Sequence, residues 1–119
     1  MMEKFSITLP LIGEYLTTVR LTTGGLCALL DFDVDATEDF KVCVTESLLI
    51  LKRNGFKNAS IDFTIEEALG CEVRGLEIGG EKEDEMEEEI SKALLSALLG
   101  KVVFEKNAEN RVEKISFKG

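Results

Sequence analysis

The sequence predicts an α+β fold, a two-layer sandwich in which about three helices cover one face of a mixed, mostly antiparallel sheet. Three observations predict it. Apolar and polar residues alternate with period two near the start, in the middle and at the end of the chain. Three other segments carry apolar residues at helical spacing. Glycine, proline and asparagine signals separate these segments into the order strand, helix, helix, strand, strand, helix, strand, strand. With 119 residues the chain is expected to form a single domain, residues 1–119, around one core.

The elements follow in turn. Phe5-Ser6-Ile7-Thr8-Leu9 alternates as a half-buried strand, and Pro10 stops it. A helix is predicted from about Gly13 to Leu30, with Tyr15, Leu16, Val19, Leu26, Leu29 and Leu30 on its apolar face. Gly24-Gly25 in its middle predicts a close helix contact or a kink. Asp31 to Asp35 reads as a turn, with Asp35 capping the next helix and Glu38 completing a capping-box spacing. That second helix, about Ala36 to Arg53, presents Phe40, Cys43, Val44, Ser47, Leu48 and Leu51, and Asn54-Gly55 ends it.

Ala59–Ile65 and Gly70–Ile78 read as an antiparallel pair joined through Glu66–Leu69, and Gly79-Gly80 breaks the run. An acidic segment, Glu81 to Glu89, then leads into a helix predicted to face Met86, Ile90, Leu94, Ala97 and Leu98 inward, ending at Gly100. The pairs Leu94-Leu95 and Leu98-Leu99 suit a core or a dimer face. Lys101–Glu105 and Arg111–Phe117 close the chain as a hairpin around Asn107–Asn110.

Composition narrows the function. A formal charge of −9 argues against nucleic acid and against an anionic membrane surface. No apolar run approaches the roughly 20 residues of a membrane span, and Met1 to Phe5 lacks the apolar core of a secretory signal. Cys27, Cys43 and Cys71 are three in number and lie in apolar surroundings, which points to buried thiols of a cytoplasmic protein. With no histidine and no cysteine pair at ligand spacing, no metal site is expected. Serine–histidine and cysteine–histidine nucleophile chemistry is excluded as well.

The helix around Val42-Cys43-Val44-Thr45-Glu46-Ser47, with Tyr15 to Arg20 on the preceding helix, resembles the bacterial anti-sigma-factor serine kinases, which have the histidine-kinase-type ATPase (GHKL) fold. The resemblance extends over nearly the whole element order. It implies an E-x-x-x-N motif, with the glutamate as general base and the asparagine helping to bind phosphate-held magnesium. Here Glu46 is present and Ile50 replaces the asparagine. Asn54 lies two turns beyond Glu46, too far to substitute. The resemblance also implies D-x-G-x-G for adenine recognition. The nearest match is Glu77-Ile78-Gly79-Gly80-Glu81, with a longer acid in first place, Gly79 in position and Glu81 where the last glycine would stand. The glycine-rich lid that would cradle phosphates is replaced by the acidic segment, whose carboxylates repel a triphosphate.

Each candidate has a plainer reading beside it. Glu46 is a vestigial base or a surface carboxylate paired with Lys41 or Arg53. Arg20 matches a basic partner-binding position of the family, or is a surface arginine paired with Glu14 or Asp39. Gly75, Gly79 and Gly80 form a nucleotide loop, or turn and bulge positions. The acidic segment is a solvated helix start, a docking site for a basic partner or a weak divalent-ion site.

The expectation is a non-catalytic regulatory module that binds a sigma factor or an anti-sigma antagonist through Arg20, with no cofactor and with homodimerisation implied by the resemblance. The alternative is a divergent serine kinase using ATP and magnesium, with Glu46 as base and Glu77 reading adenine. A third possibility is a subunit that keeps the fold for assembly alone.

Overall fold

The structure, a computed structural model, describes residues 2–83 and 85–119, with Glu85 described by its backbone alone. Met1 of the N-terminal segment and Asp84 of the acidic segment lie outside the described residues. Strand β1 (Glu3–Pro10) is followed by a 3-10 turn (Gly13–Tyr15), α1 (Leu16–Leu29) and α2 (Val34–Arg53). Then come β2 (Asn58–Ile65), β3 (Leu69–Gly75), α3 (Glu85–Leu99), β4 (Val102–Lys106) and β5 (Val112–Lys118). The strands form one sheet in the order β1-β2-β3-β5-β4, and all four pairings are antiparallel.

Register explains why one face is apolar. Phe5, Phe63, Cys71, Phe117 and Val102 stand opposite one another across the five strands, as do Ile7, Ile61, Val73, Ile115 and Phe104. The intervening row, Ser6, Asp62, Glu72 and Ser116, falls on the opposite face because side chains alternate along a strand. The apolar rows meet the helices. Helix α2 lies over the central strands β3 and β5 and packs against α1 and α3. Phe40, Cys43, Val44, Ser47, Leu48 and Leu51 are buried, as the spacing of α2 predicts. Burial drives all three thiols above the ordinary cysteine value, Cys43 up to about 12 with Asp39 and Glu46 adding to the effect.

Several local expectations are corrected. Asp33, not Asp35, caps α2: its extended backbone brings its carboxylate to the Ala36 N–H at 2.7 Å. The helix therefore starts at Val34, and Asp35 sits in its first turn, where a negative charge suits the dipole. Helix α1 buries Val19, Thr23, Leu26 and Cys27, while Tyr15 and Leu29 are exposed. Thr23 tolerates burial because its hydroxyl donates to the Val19 carbonyl at 2.8 Å. The helix runs unbroken through Gly24 and Gly25; a Cβ on Gly24 would meet only the Lys41 stem, and Gly25 faces open space. The strand predicted to reach Ile78 ends at Gly75, and Ile78 makes one isolated bridge to Phe56.

The largest correction concerns α3. It buries Glu88, Ser91 and Leu95, and leaves Met86, Ile90 and Leu94 exposed. Polar partners at Glu46, Arg53 and Asn54 hold Ser91 and Glu88 inward.

Candidate functional site

On α2, Glu46, Ile50 and Asn54 follow at four-residue intervals, which sets them along one face. That face meets α3. The Glu46 carboxylate accepts a hydrogen bond from the Ser91 hydroxyl at 3.0 Å, and Ser91 accepts one from the Arg53 guanidinium at 2.9 Å. Arg53 also pairs with Glu87 at 3.2 Å. Glu46 is thus linked to Arg53 through a serine that the sequence did not single out. Lys41 pairs with Glu38.

Ile50 is fully enclosed, with 0 % of its surface exposed. Below it Asn54, also 0 % exposed, joins three elements. Its amide donates to the Ile50 carbonyl and to Glu88 Oε1, each at 2.8 Å, and its oxygen accepts from the Val112 N–H at 2.9 Å. Arg111 extends the junction by donating to the carbonyls of Asn54 and Gly80.

Gly79 and Gly80 belong to the same corner. Their N–H groups both donate to the Gly55 carbonyl, at 2.8 and 3.1 Å. Gly55 has φ +88°, and a Cβ there would stand 2.3 Å from the Gly80 oxygen. A Cβ on Gly79 would stand 2.0 Å from Lys57 Cγ. Close backbone approach accounts for Gly55, a Cβ on Gly79 would displace the Lys57 stem, and Gly80 faces open space. Glu77 is exposed, accepts from the Asn58 amide at 3.1 Å and lies 4.0 Å from Lys57 Nζ. Arg20 is exposed on α1 and donates to Thr45 on α2 at 3.3 Å, a different partner from the Glu14 or Asp39 expected.

Glu88 is the buried charge of the region, 2 % exposed, with Lys92 at 3.4 Å and Lys82 at 4.0 Å. Burial pushes its carboxyl up, but the Asn54 amide and the two lysines outweigh that and hold it below the ordinary glutamate value. A carboxyl depressed in the folded state stabilises fully above its unfolded pKa, and that stabilisation is lost as pH falls through the folded pKa. Melting temperature is therefore expected to fall with pH below about 4.5, and more steeply in the wild type than in Glu88→Gln. Parallel melting curves for the two proteins between pH 5 and pH 3 would contradict the assignment.

In this arrangement Ile50 offers no ligand atom and no opening, and the Glu46 carboxylate is engaged by Ser91. Among the described residues, no group of three acidic or cysteine side chains is placed to hold a metal ion. Two grooves lie away from these residues. One of about 810 Å³ opens on the polar sheet face beside Lys4, Asp62, Glu72 and Lys118, and one of about 770 Å³ lies between Met2 and Leu29. No helix among the described residues is long and apolar enough to cross a membrane.

Sequence reasoning missed Asn54, Ser91, Glu88 and Arg111. The signal for Asn54 was read as a helix stop, which it also is, and Glu88 was hidden among six other acids.

No family model matches the chain. It is 31% identical over 68 residues to the serine-protein kinase RsbW of Bacillus mycoides strain KBAB4, covering 55% of this chain and 42% of that protein. The RsbW kinases of Bacillus cereus strains B4264 and G9842 are each 29% identical over 63 residues, covering 53% of this chain and 39% of those proteins. The match thus spans less than half the length of these relatives. Three helices on one face of an open antiparallel five-stranded sheet are compatible with the ATPase-type fold that the resemblance implies. Over about half its length, the chain is a distant homologue of the RsbW serine-protein kinases, the family its sequence resembles.

Proposed function

We propose that this chain is a regulatory protein-binding module of the anti-sigma type, in which ATP binding and kinase activity have been lost. One observation carries the reading: the helix that bears the resemblance keeps Glu46, yet closes the neighbouring position with a fully buried Ile50 and ties Glu46 to Ser91. A base with no bound phosphoryl donor has no reaction. The module needs no cofactor and works in the cytoplasm, with homodimerisation through the α1 side part of the same reading.

Its partner is a sigma factor or an anti-sigma antagonist. The contact surface is α1, whose residues Leu16–Leu29 include one charged side chain, Arg20. Arg20 is exposed, and its sequence neighbour Leu21 is 72 % exposed, so α1 offers an arginine and an apolar side chain of the kinds that protein interfaces favour. The test is capture of purified sigma factors and antagonists by immobilised protein. Arg20→Glu is expected to weaken capture at least tenfold while leaving the melting temperature unchanged. Undiminished capture by the folded variant would remove Arg20 from the interface.

One observation favours a second reading as a divergent serine kinase using magnesium-ATP. Glu46, the glutamate of the resembled motif, is retained, and in this reading it activates the substrate hydroxyl. Transfer of labelled phosphate to a candidate antagonist separates the two.

A further inference from the structure

Helix α3 is apolar on the side turned to solvent. With Glu88, Ser91 and Leu95 committed to the protein interior, the opposite side presents Met86 at 69 % exposure, Ile90 at 64 % and Leu94 at 38 %, with Ala93 and Ala97 between and beyond them. The spacing from residue 86 through 90, 93, 94 and 97 is that of a continuous helical stripe, roughly 100° wide. From Met86 to Ala97 it runs on the order of 16 Å, about three turns. Scattered exposed apolar residues are ordinary, but a stripe of this kind marks a docking surface.

Charge specifies the occupant. Glu87 and Glu89 flank the stripe; each already pairs with one cation of the chain, Arg53 at 3.2 Å and Lys92 at 3.6 Å, yet their side chains stay 65 % and 71 % exposed and open to a second partner. Glu81 and Glu83 lie exposed just before the helix. The one base of α3, Lys92, is largely covered: its Nζ lies 3.4 Å from Glu88, 3.6 Å from Glu89 and 5.4 Å from the centre of the Phe104 ring. The stripe is therefore apolar along its centre and bordered by carboxylates, on a chain of charge −9.

We propose that the exposed face of α3 is a docking surface for a basic amphipathic helix, about three turns long, from a protein partner. Its apolar face lies along Met86, Ile90 and Leu94, and its lysines or arginines meet Glu87 and Glu89. The site is independent of Arg20: α1 and α3 pack against α2 and have no substantial contact with each other. Failure at one surface thus leaves the other untouched.

The test uses the whole chain and three labelled synthetic peptides, read by fluorescence anisotropy at physiological salt. One is a 14-residue helix of leucine and lysine at amphipathic spacing. The second scrambles that composition, and the third replaces each lysine with glutamate. The first is expected to bind at least tenfold more tightly than the other two. Ile90→Ser should weaken it at least tenfold with the melting temperature unchanged, since Ile90 lies outside the core. Equal binding of the scrambled peptide, or full binding by Ile90→Ser, would overturn the proposal. So would a dimer in sedimentation that Ile90→Ser converts to monomer, because a second copy would then cover the stripe.

Discussion

Asn54→Ala is expected to lower stability by about 3 kcal/mol, roughly 12 °C of melting temperature for a domain of this size. The side chain fills no large volume, so the effect does not come from a cavity. It comes from what is left behind. Without the amide, the buried Glu88 carboxylate loses its neutral donor and the Val112 N–H loses its acceptor, both away from water. The loss should appear as a lower urea midpoint with unchanged slope. A change of under about 1 kcal/mol would show that water replaces the amide and that the junction is not the tie between α2, α3 and β5 described above.

The second large effect belongs to Ile50. Restoring the asparagine of the resembled motif, Ile50→Asn, is expected to cost about 4 kcal/mol rather than to recreate a nucleotide site. The position is completely enclosed, so the substitution removes apolar burial and places an amide where no partner awaits it. An Ile50→Asn protein that melts like the wild type and gains affinity for magnesium-ATP would mean this face of α2 opens to ligand.

These two residues also show how far the sequence could be read. The strands were legible because alternation along Phe5–Leu9 and Ala59–Ile65 reflects one solvated face. The core face of α2 was legible for the corresponding reason: its apolar residues recur at helical spacing and are met from the sheet side. Helix α3 was not, because its most continuous apolar stripe, Met86, Ile90 and Leu94, is the one turned to solvent, while the buried side carries Glu88 and Ser91. The choice rests on Glu88 and Ser91 finding partners 34 and 45 residues away in sequence, at Asn54 and Glu46. Such pairings leave no local pattern. The cap of α2 was misplaced on a smaller scale, since Asp31, Asp33 and Asp35 offer the same chemistry and only backbone geometry selects Asp33.

The candidate nucleotide residues were legible by resemblance and not by spacing alone. Glu46 and Ile50 share a helix face as expected, and Glu77 and Gly79 are held by local partners, Asn58, Lys57 and Gly55.

The most direct test of the central claim is calorimetric titration of the folded protein with ATP and ADP in millimolar magnesium. No heat of binding is predicted, with the same sample giving a cooperative melt. Saturable binding of either nucleotide would contradict the account, because Glu46, Ile50 and the loop at Gly79 would then have to part from the contacts that close them here.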